Sequence, residues 1–169
     1  MGLKPKAFAY VTLHRPSNVD ERQGLAAIMD ALNKLGEIMP VVFPMHPRTR
    51  KMLAEFGLDI RSNGGVKILE PVGYHASLSL TENARLVLTD SGGLQEESTF
   101  FRVPCLTLRP NTERPVTVSL GSNKLTCLDR LWADIAEVLQ GPEQLGQIPP
   151  LWDGKAAGRI VHAIVEASP

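Results

Sequence analysis

Leu86-Val87-Leu88-Thr89-Asp90-Ser91-Gly92-Gly93-Leu94-Gln95-Glu96-Glu97 decides the fold of this chain. An apolar, β-prone run stops at polar residues and two glycines, and a helix-forming segment starts at once. That order reads as a strand, a tight turn and a helix N-terminus. The first turn of a helix leaves backbone N–H groups without intrahelical acceptors, and the helix dipole adds partial positive charge there. Such a terminus favours a bound phosphate. Gly92 and Gly93 let the backbone come close to it, and Ser91 adds a hydroxyl donor. Glu97, about one and a half turns into the helix, is placed to accept hydrogen bonds from sugar hydroxyls. A diphosphate carrying a sugar fits the arrangement, so the stretch reads as a nucleotide site.

Working outward, strand and helix patterns alternate. Ala7 to Leu13 reads as a first strand, and Glu21 to Ile38 carries Leu25, Ile28, Met29, Leu32 and Leu35 at helical spacing. Val41 to Met45 is a short buried strand, and Arg48 to Phe56 a helix closed by Gly57. Val66 to Leu69, a helix from Tyr74 to Asn83, the strand Leu86 to Leu88 and the helix Leu94 to Phe101 follow. Cys105 to Leu108 closes the regular alternation, and Asp129 to Leu139 and Ala156 to Ala167 read as final helices. Gly141 to Gly154, rich in Pro and Gly, reads as a long surface connection. Repeated β–α units predict a Rossmann-like, three-layer α/β/α domain around a mostly parallel sheet.

Ligands of such sheets bind beyond the carboxyl ends of the strands. His14-Arg15 follows the first strand, His46 and Arg48 the second, Asp90 to Gly93 the fourth, and Arg109 to Arg114 the fifth. All fall on one predicted edge. Each has a plainer reading: a turn with a capping serine, a dipole-compatible acidic pair, a strand-end His and Arg, or a Glu113–Arg114 surface ion pair. Their convergence favours ligand binding. His75 and His162 lack supporting neighbours and read as structural, and Cys105 reads as an inert buried thiol.

The 169 residues suit one domain with a sizeable core. Lys+Arg 18 balances Asp+Glu 18, so neither nucleic acid nor an anionic membrane is an expected partner. No apolar run approaches the ~20 residues that span a bilayer. Cys105 and Cys127 make no disulfide framework, and a cytoplasmic protein is expected. No Cys/His spacing predicts a metal site, and no Gly-x-Gly-x-x-Gly dinucleotide fingerprint is present. Met1-Gly2 opens like a myristoylation site, but Lys6 stands where Ser or Thr is required.

Taken in order, Thr12-Leu13-His14-Arg15-Pro16-Ser17-Asn18, Pro44-Met45-His46-Pro47, Thr89 to Glu97, Thr112-Glu113-Arg114-Pro115 and Gly121-Ser122-Asn123 form a combined pattern. It resembles the C-terminal half of the non-hydrolysing UDP-N-acetylglucosamine 2-epimerases. Trp152-Asp153-Gly154-Lys155-Ala156 echoes a stretch those enzymes carry before their closing helix. The resemblance implies one half of a B-type glycosyltransferase fold, with the active site in the cleft between two Rossmann-like domains. It implies interconversion of UDP-GlcNAc and UDP-ManNAc for polysaccharide synthesis, by elimination of UDP to 2-acetamidoglucal and re-addition, without a cofactor. Carried over by motif, Ser91, Gly92, Gly93 and Arg114 would hold the diphosphate and Glu97 the ribose. His14 would be the catalytic or diphosphate-stabilising histidine, and Arg15 and His46 would lie near nucleotide or effector contacts.

Three departures accompany the resemblance. Full-length members are far longer and keep the carboxylates for the C2 proton in their N-terminal domain. Residues 1–169 are therefore expected to form a single UDP-binding domain, inactive without that missing domain, from a protein that is homodimeric at full length. Ser17 and Val116 both stand where many members carry Glu. Two alternatives stay open at this level: the donor domain of a B-type glycosyltransferase, and a nucleotide-binding module without chemistry. A hydrolysing epimerase fits the motifs less well.

Overall fold

The computed structural model describes residues 2–59, 65–141 and 146–167. In chain order the elements are β1 (Ala9–Thr12), α1 (Pro16–Val19), α2 (Arg22–Ile38), β2 (Val41–Pro44), α3 (Pro47–Phe56) and β3 (Val66–Leu69). Then come α4 (Tyr74–Asn83), β4 (Leu86–Thr89), α5 (Gly92–Phe100), β5 (Cys105–Leu108), α6 (Pro115–Ser119) and β6 (Asn123–Thr126). A 3₁₀ turn (Leu128–Arg130) leads into α7 (Leu131–Gln140), and α8 (Ala156–Ala167) ends the described chain.

The strands form one six-stranded sheet in the order β3-β2-β1-β4-β5-β6. Every pairing is parallel, so the expected "mostly parallel" sheet is wholly so. Side chains alternate across it, as strand geometry requires. Ala9, Val11 and Leu13 join Leu25, Ile28 and Leu32 of α2, Leu53 of α3 and Ile135 of α7 on one face. Phe8, Tyr10 and Val87 meet Leu80 and Leu94, from α4 and α5, on the other. Both faces are covered, which is why β2, β4 and β5 read as continuous buried runs rather than alternating ones.

The sequence reading missed β6, because Asn-Lys-Leu-Thr carries a single β-branched residue, Thr126, and no aromatic to mark a strand. It pairs at the sheet edge through Cys105↔Asn123 to Leu108↔Thr126, and its Asn123 and Thr126 are buried on polar partners. The short α1 and α6 were also missed; at four and five residues they are too brief for a periodic signal. The helix expected from Asp129 instead begins as the 3₁₀ turn. Gly57, in the left-handed region at φ 60, closes α3 as expected. Of the expected connection Gly141 to Gly154, residues 142–145 lie outside the described residues.

Candidate functional site

The strand order reverses between β1 and β4, the topological switch point where open α/β sheets take their ligands. His14 and Arg15 leave the end of β1, and Asp90 and Ser91 leave the end of β4. Asp90 is fully buried and ties the two ends together. Its carboxylate accepts the backbone N–H of His14 at 2.9 Å, that of Arg15 at 2.8 Å and Nδ2 of Asn18 at 3.0 Å. The Nδ1 of His14 lies 3.2 Å from Oδ1 of Asp90, which leaves the Nε2 edge of the imidazole for a ligand. Arg15 Nε donates to the Asp90 carbonyl at 2.8 Å.

Proline fixes the entry to these turns. Pro16, Pro47 and Pro115 each stand in the first turn of a helix, where their missing N–H costs nothing. The residue before a proline is driven to extended backbone, and Arg15 (ψ 139) and His46 (ψ 142) are so held. His46 Nδ1 accepts the Arg48 N–H at 3.1 Å, capping α3, and its ring lies 5.1 Å from that of His14. His46 thus joins the His14 side of the site. Arg48 turns to Asp20 and forms an ion pair with it.

Helix α5 starts with Ser91 as its N-cap, and the Ser91 side chain makes no capping bond. Gly92 and Gly93 are not turn residues, contrary to the expected tight turn. They form the first two positions of the helix, neither has a positive φ, and a Cβ built on either meets nothing within 4 Å. Neither backbone geometry nor internal packing therefore demands glycine here; the space they keep lies open above the helix N-terminus. Glu97 is half-buried on the same helix, one turn past Gly93. Burial, then the neighbouring Glu96 charge, raises its pKa from the ordinary carboxylate value. Glu96 and Glu97 line a groove with Tyr74, Leu78, Phe100 and Trp152.

The loop after β5 makes the third wall. Buried Arg109 grips Glu113 through both terminal guanidinium nitrogens, Nη1 and Nη2, at 2.8 and 2.6 Å. That fork holds the Glu113 carboxyl at a pKa of about 2. The Glu113–Arg114 surface pair weighed from the sequence gives way to this one. Arg114 instead reaches Glu96 on α5, with Nε 3.0 Å from Oε1. His14, Arg15, His46, Ser91, Gly92, Gly93, Glu97 and Arg114 thus share one end of the sheet. His75 is exposed on α4 beside Tyr74, and His162 pairs with Glu166 on α8. Burial pushes the Cys105 thiol up to about 11, keeping it protonated.

The sequence reading gave no role to Asp90, Asn18, Gln95, Thr112 or Asn123. A signal existed for Asp90: a carboxylate directly after a continuous apolar strand must find buried donors. The others act through tertiary hydrogen bonds that no local pattern encodes.

A family model described as UDP-N-acetylglucosamine 2-epimerase matches residues 1–165. The chain belongs to that family. The epimerase of Methanocaldococcus jannaschii is 42% identical over 158 residues, covering 91% of this chain and 43% of that protein. A UDP-2,3-diacetamido-2,3-dideoxy-D-glucuronate 2-epimerase of Pseudomonas aeruginosa is 43% identical over 119 residues, covering 70% of this chain and 32% of that protein. The crystal structure of the M. jannaschii UDP-GlcNAc 2-epimerase in complex with UDP-GlcNAc and UDP superposes with a TM-score of 0.78 at 39% identity. It covers 96% of this chain, which in turn covers 46% of it. The Neisseria meningitidis UDP-GlcNAc 2-epimerase bound to UDP-GlcNAc gives 0.81 at 27% identity, over 95% of this chain and 45% of that one. This epimerase-family chain therefore spans less than half the length of these relatives, and its α/β/α domain is similar to one half of their B-type fold. Among the described residues no helix is long and apolar enough to cross a membrane.

Proposed function

We propose that this chain is the UDP-binding C-terminal half of a UDP-N-acetylglucosamine 2-epimerase. The observation that carries the reading is that the α5 N-terminus and His14 beside Asp90 lie at the β1/β4 switch point, with Arg114 paired to Glu96 of the same helix. A diphosphate seated there accepts N–H donors from the first residues of α5 and charge-assisted bonds from Arg114. Glu97, one turn further along α5, accepts the ribose hydroxyls. Arg15 and His46 lie on the same sheet edge and contact the nucleotide or a second, effector ligand.

Departure of UDP from the sugar concentrates charge on the β-phosphate. Donors fixed before the reaction favour that charge over the ground state and so lower the barrier. In this scheme His14 presents Nε2 to the leaving phosphate while Asp90 holds Nδ1. The carboxylates that handle the C2 proton belong to the companion N-terminal half, so the chain alone binds UDP weakly and turns nothing over. The complete enzyme is a cytoplasmic homodimer interconverting UDP-GlcNAc and UDP-ManNAc.

Calorimetric titration with UDP tests the binding reading. Saturable heat in the micromolar to millimolar range is expected; no heat at millimolar UDP overturns it. Proton NMR of UDP-GlcNAc incubated with this chain and its companion half tests the chemistry. Appearance of the C2 epimer is expected, whereas transfer of the sugar to an acceptor without epimer identifies a glycosyltransferase instead.

A further inference from the structure

The helix that opens the site carries a fully buried amide, Gln95, whose side chain bonds both to the head of α5 and to the loop after β5. Its Nε2 donates to the Ser91 carbonyl at 3.1 Å, at the head of α5. Its Oε1 accepts the Thr112 hydroxyl at 2.5 Å, in the loop after β5, and Nδ2 of Asn123 at 3.1 Å. Thr112 Oγ1 in turn accepts the backbone N–H of Arg114 at 2.9 Å. The second branch ends on the same residue: Asn123 Nδ2 donates to Thr117 Oγ1 at 3.0 Å, and Thr117 Oγ1 donates to the Arg114 carbonyl at 2.7 Å. Thr107 donates to Asn123 Oδ1 at 2.6 Å, which fixes the orientation of that amide. Each hydroxyl in the set donates once and the Asn123 amide gives its two hydrogens to two acceptors, so the directions are mutually consistent. Arg114 is held by both its N–H and its C=O, and both ties lead back to Gln95.

We propose that Gln95 is a positioning residue that sets the spacing between the α5 N-terminus and Arg114, and so makes the site select a diphosphate over a monophosphate. The inference rests on the UDP-binding reading above. One phosphate needs only the helix terminus; the second must reach that terminus and Arg114 together. A guanidinium on an untethered loop spends its interaction on being ordered, whereas one already held in place gives it to the ligand. The tie acts on Arg114 through the backbone and leaves its guanidinium free to exchange Glu96 for phosphate.

The test compares UDP and UMP binding to the full chain by calorimetry, for wild type, T112V, Q95L, R114A and the T112V/R114A double variant. Wild type is expected to prefer UDP. T112V and Q95L lower UDP affinity about tenfold, the worth of one charge-assisted hydrogen bond, with UMP affinity within about twofold of wild type. In the R114A background T112V adds less than about twofold, because the two act on the same contact. Thr112 is only partly buried and Val keeps its shape, so T112V decides the matter if Q95L does not fold. An unchanged UDP-to-UMP ratio in T112V, an equal loss for both nucleotides, or additivity with R114A overturns the inference while leaving UDP binding standing. A wild-type chain that binds neither nucleotide removes the underlying reading, and this one with it.

Discussion

The imidazole Nδ1 of His14 lies 3.2 Å from a carboxylate oxygen of Asp90 that has no exposure to solvent. Asp90 also receives two backbone N–H groups and the Asn18 amide, so one side chain joins the ends of β1 and β4 and is placed to orient the histidine. Asp90→Ala strands these donors in the interior and is expected to lower unfolding free energy by about 3 kcal/mol, read from urea denaturation. Asp90→Asn keeps the shape but turns an NH₂ toward groups that donate. Nitrogen-15 shifts of His14 are then expected to lose the Nδ1–H signature of the wild type. An unchanged tautomer pattern contradicts the orienting role.

Gly92 and Gly93 separate ligand demands from folding demands. A methyl at either position meets open space on ordinary helical backbone. Gly93→Ala is therefore expected to stabilise the ligand-free chain slightly, by about 0.5 kcal/mol, while weakening UDP binding tenfold or more. Thermal unfolding and calorimetry on the same samples check both signs. A stabilised variant with full UDP affinity moves the phosphate away from this helix.

Glu113 supplies a pH signature. Its pKa is lowered from 4.5 to about 2 by the Arg109 fork, then by a backbone hydrogen bond. A carboxyl depressed on folding contributes stability above its unfolded value, and that contribution is lost as pH falls through the folded value. The window is thus about pH 4.5 down to 2. Carbon-13 NMR of the Glu113 carboxyl should titrate near the lower limit, and near 4.5 in Arg109→Met. Titration near 4.5 in wild type contradicts the fork.

Helix α8 has no buried residue, and Ile160, Val161, Ile164 and Val165 are 59%, 60%, 61% and 67% exposed on it. More than half of the surface of each of these residues is open to solvent in the described domain. Replacing Ile160 and Ile164 together by Lys is expected to change unfolding free energy by less than about 0.5 kcal/mol, the usual limit for surface positions. A loss above about 2 kcal/mol in urea denaturation contradicts that picture.

The sequence by itself determined the α/β class, the helices on both faces and the edge on which the ligand-type residues gather. These follow from local patterns: apolar runs such as Leu86 to Leu88, helical spacing such as Leu25 to Leu35, and glycine or proline at element ends. Tertiary structure alone decided the strand order that makes β1 and β4 neighbours, and the polar edge strand β6, whose Asn123 and Thr126 are satisfied by distant side chains. It also decided that Asp90 binds across 76 residues to His14 and that Gln95 reaches Thr112. Backbone preference and periodicity act over a few residues. A buried polar group takes its meaning from partners that only the closed sheet brings within hydrogen-bond reach.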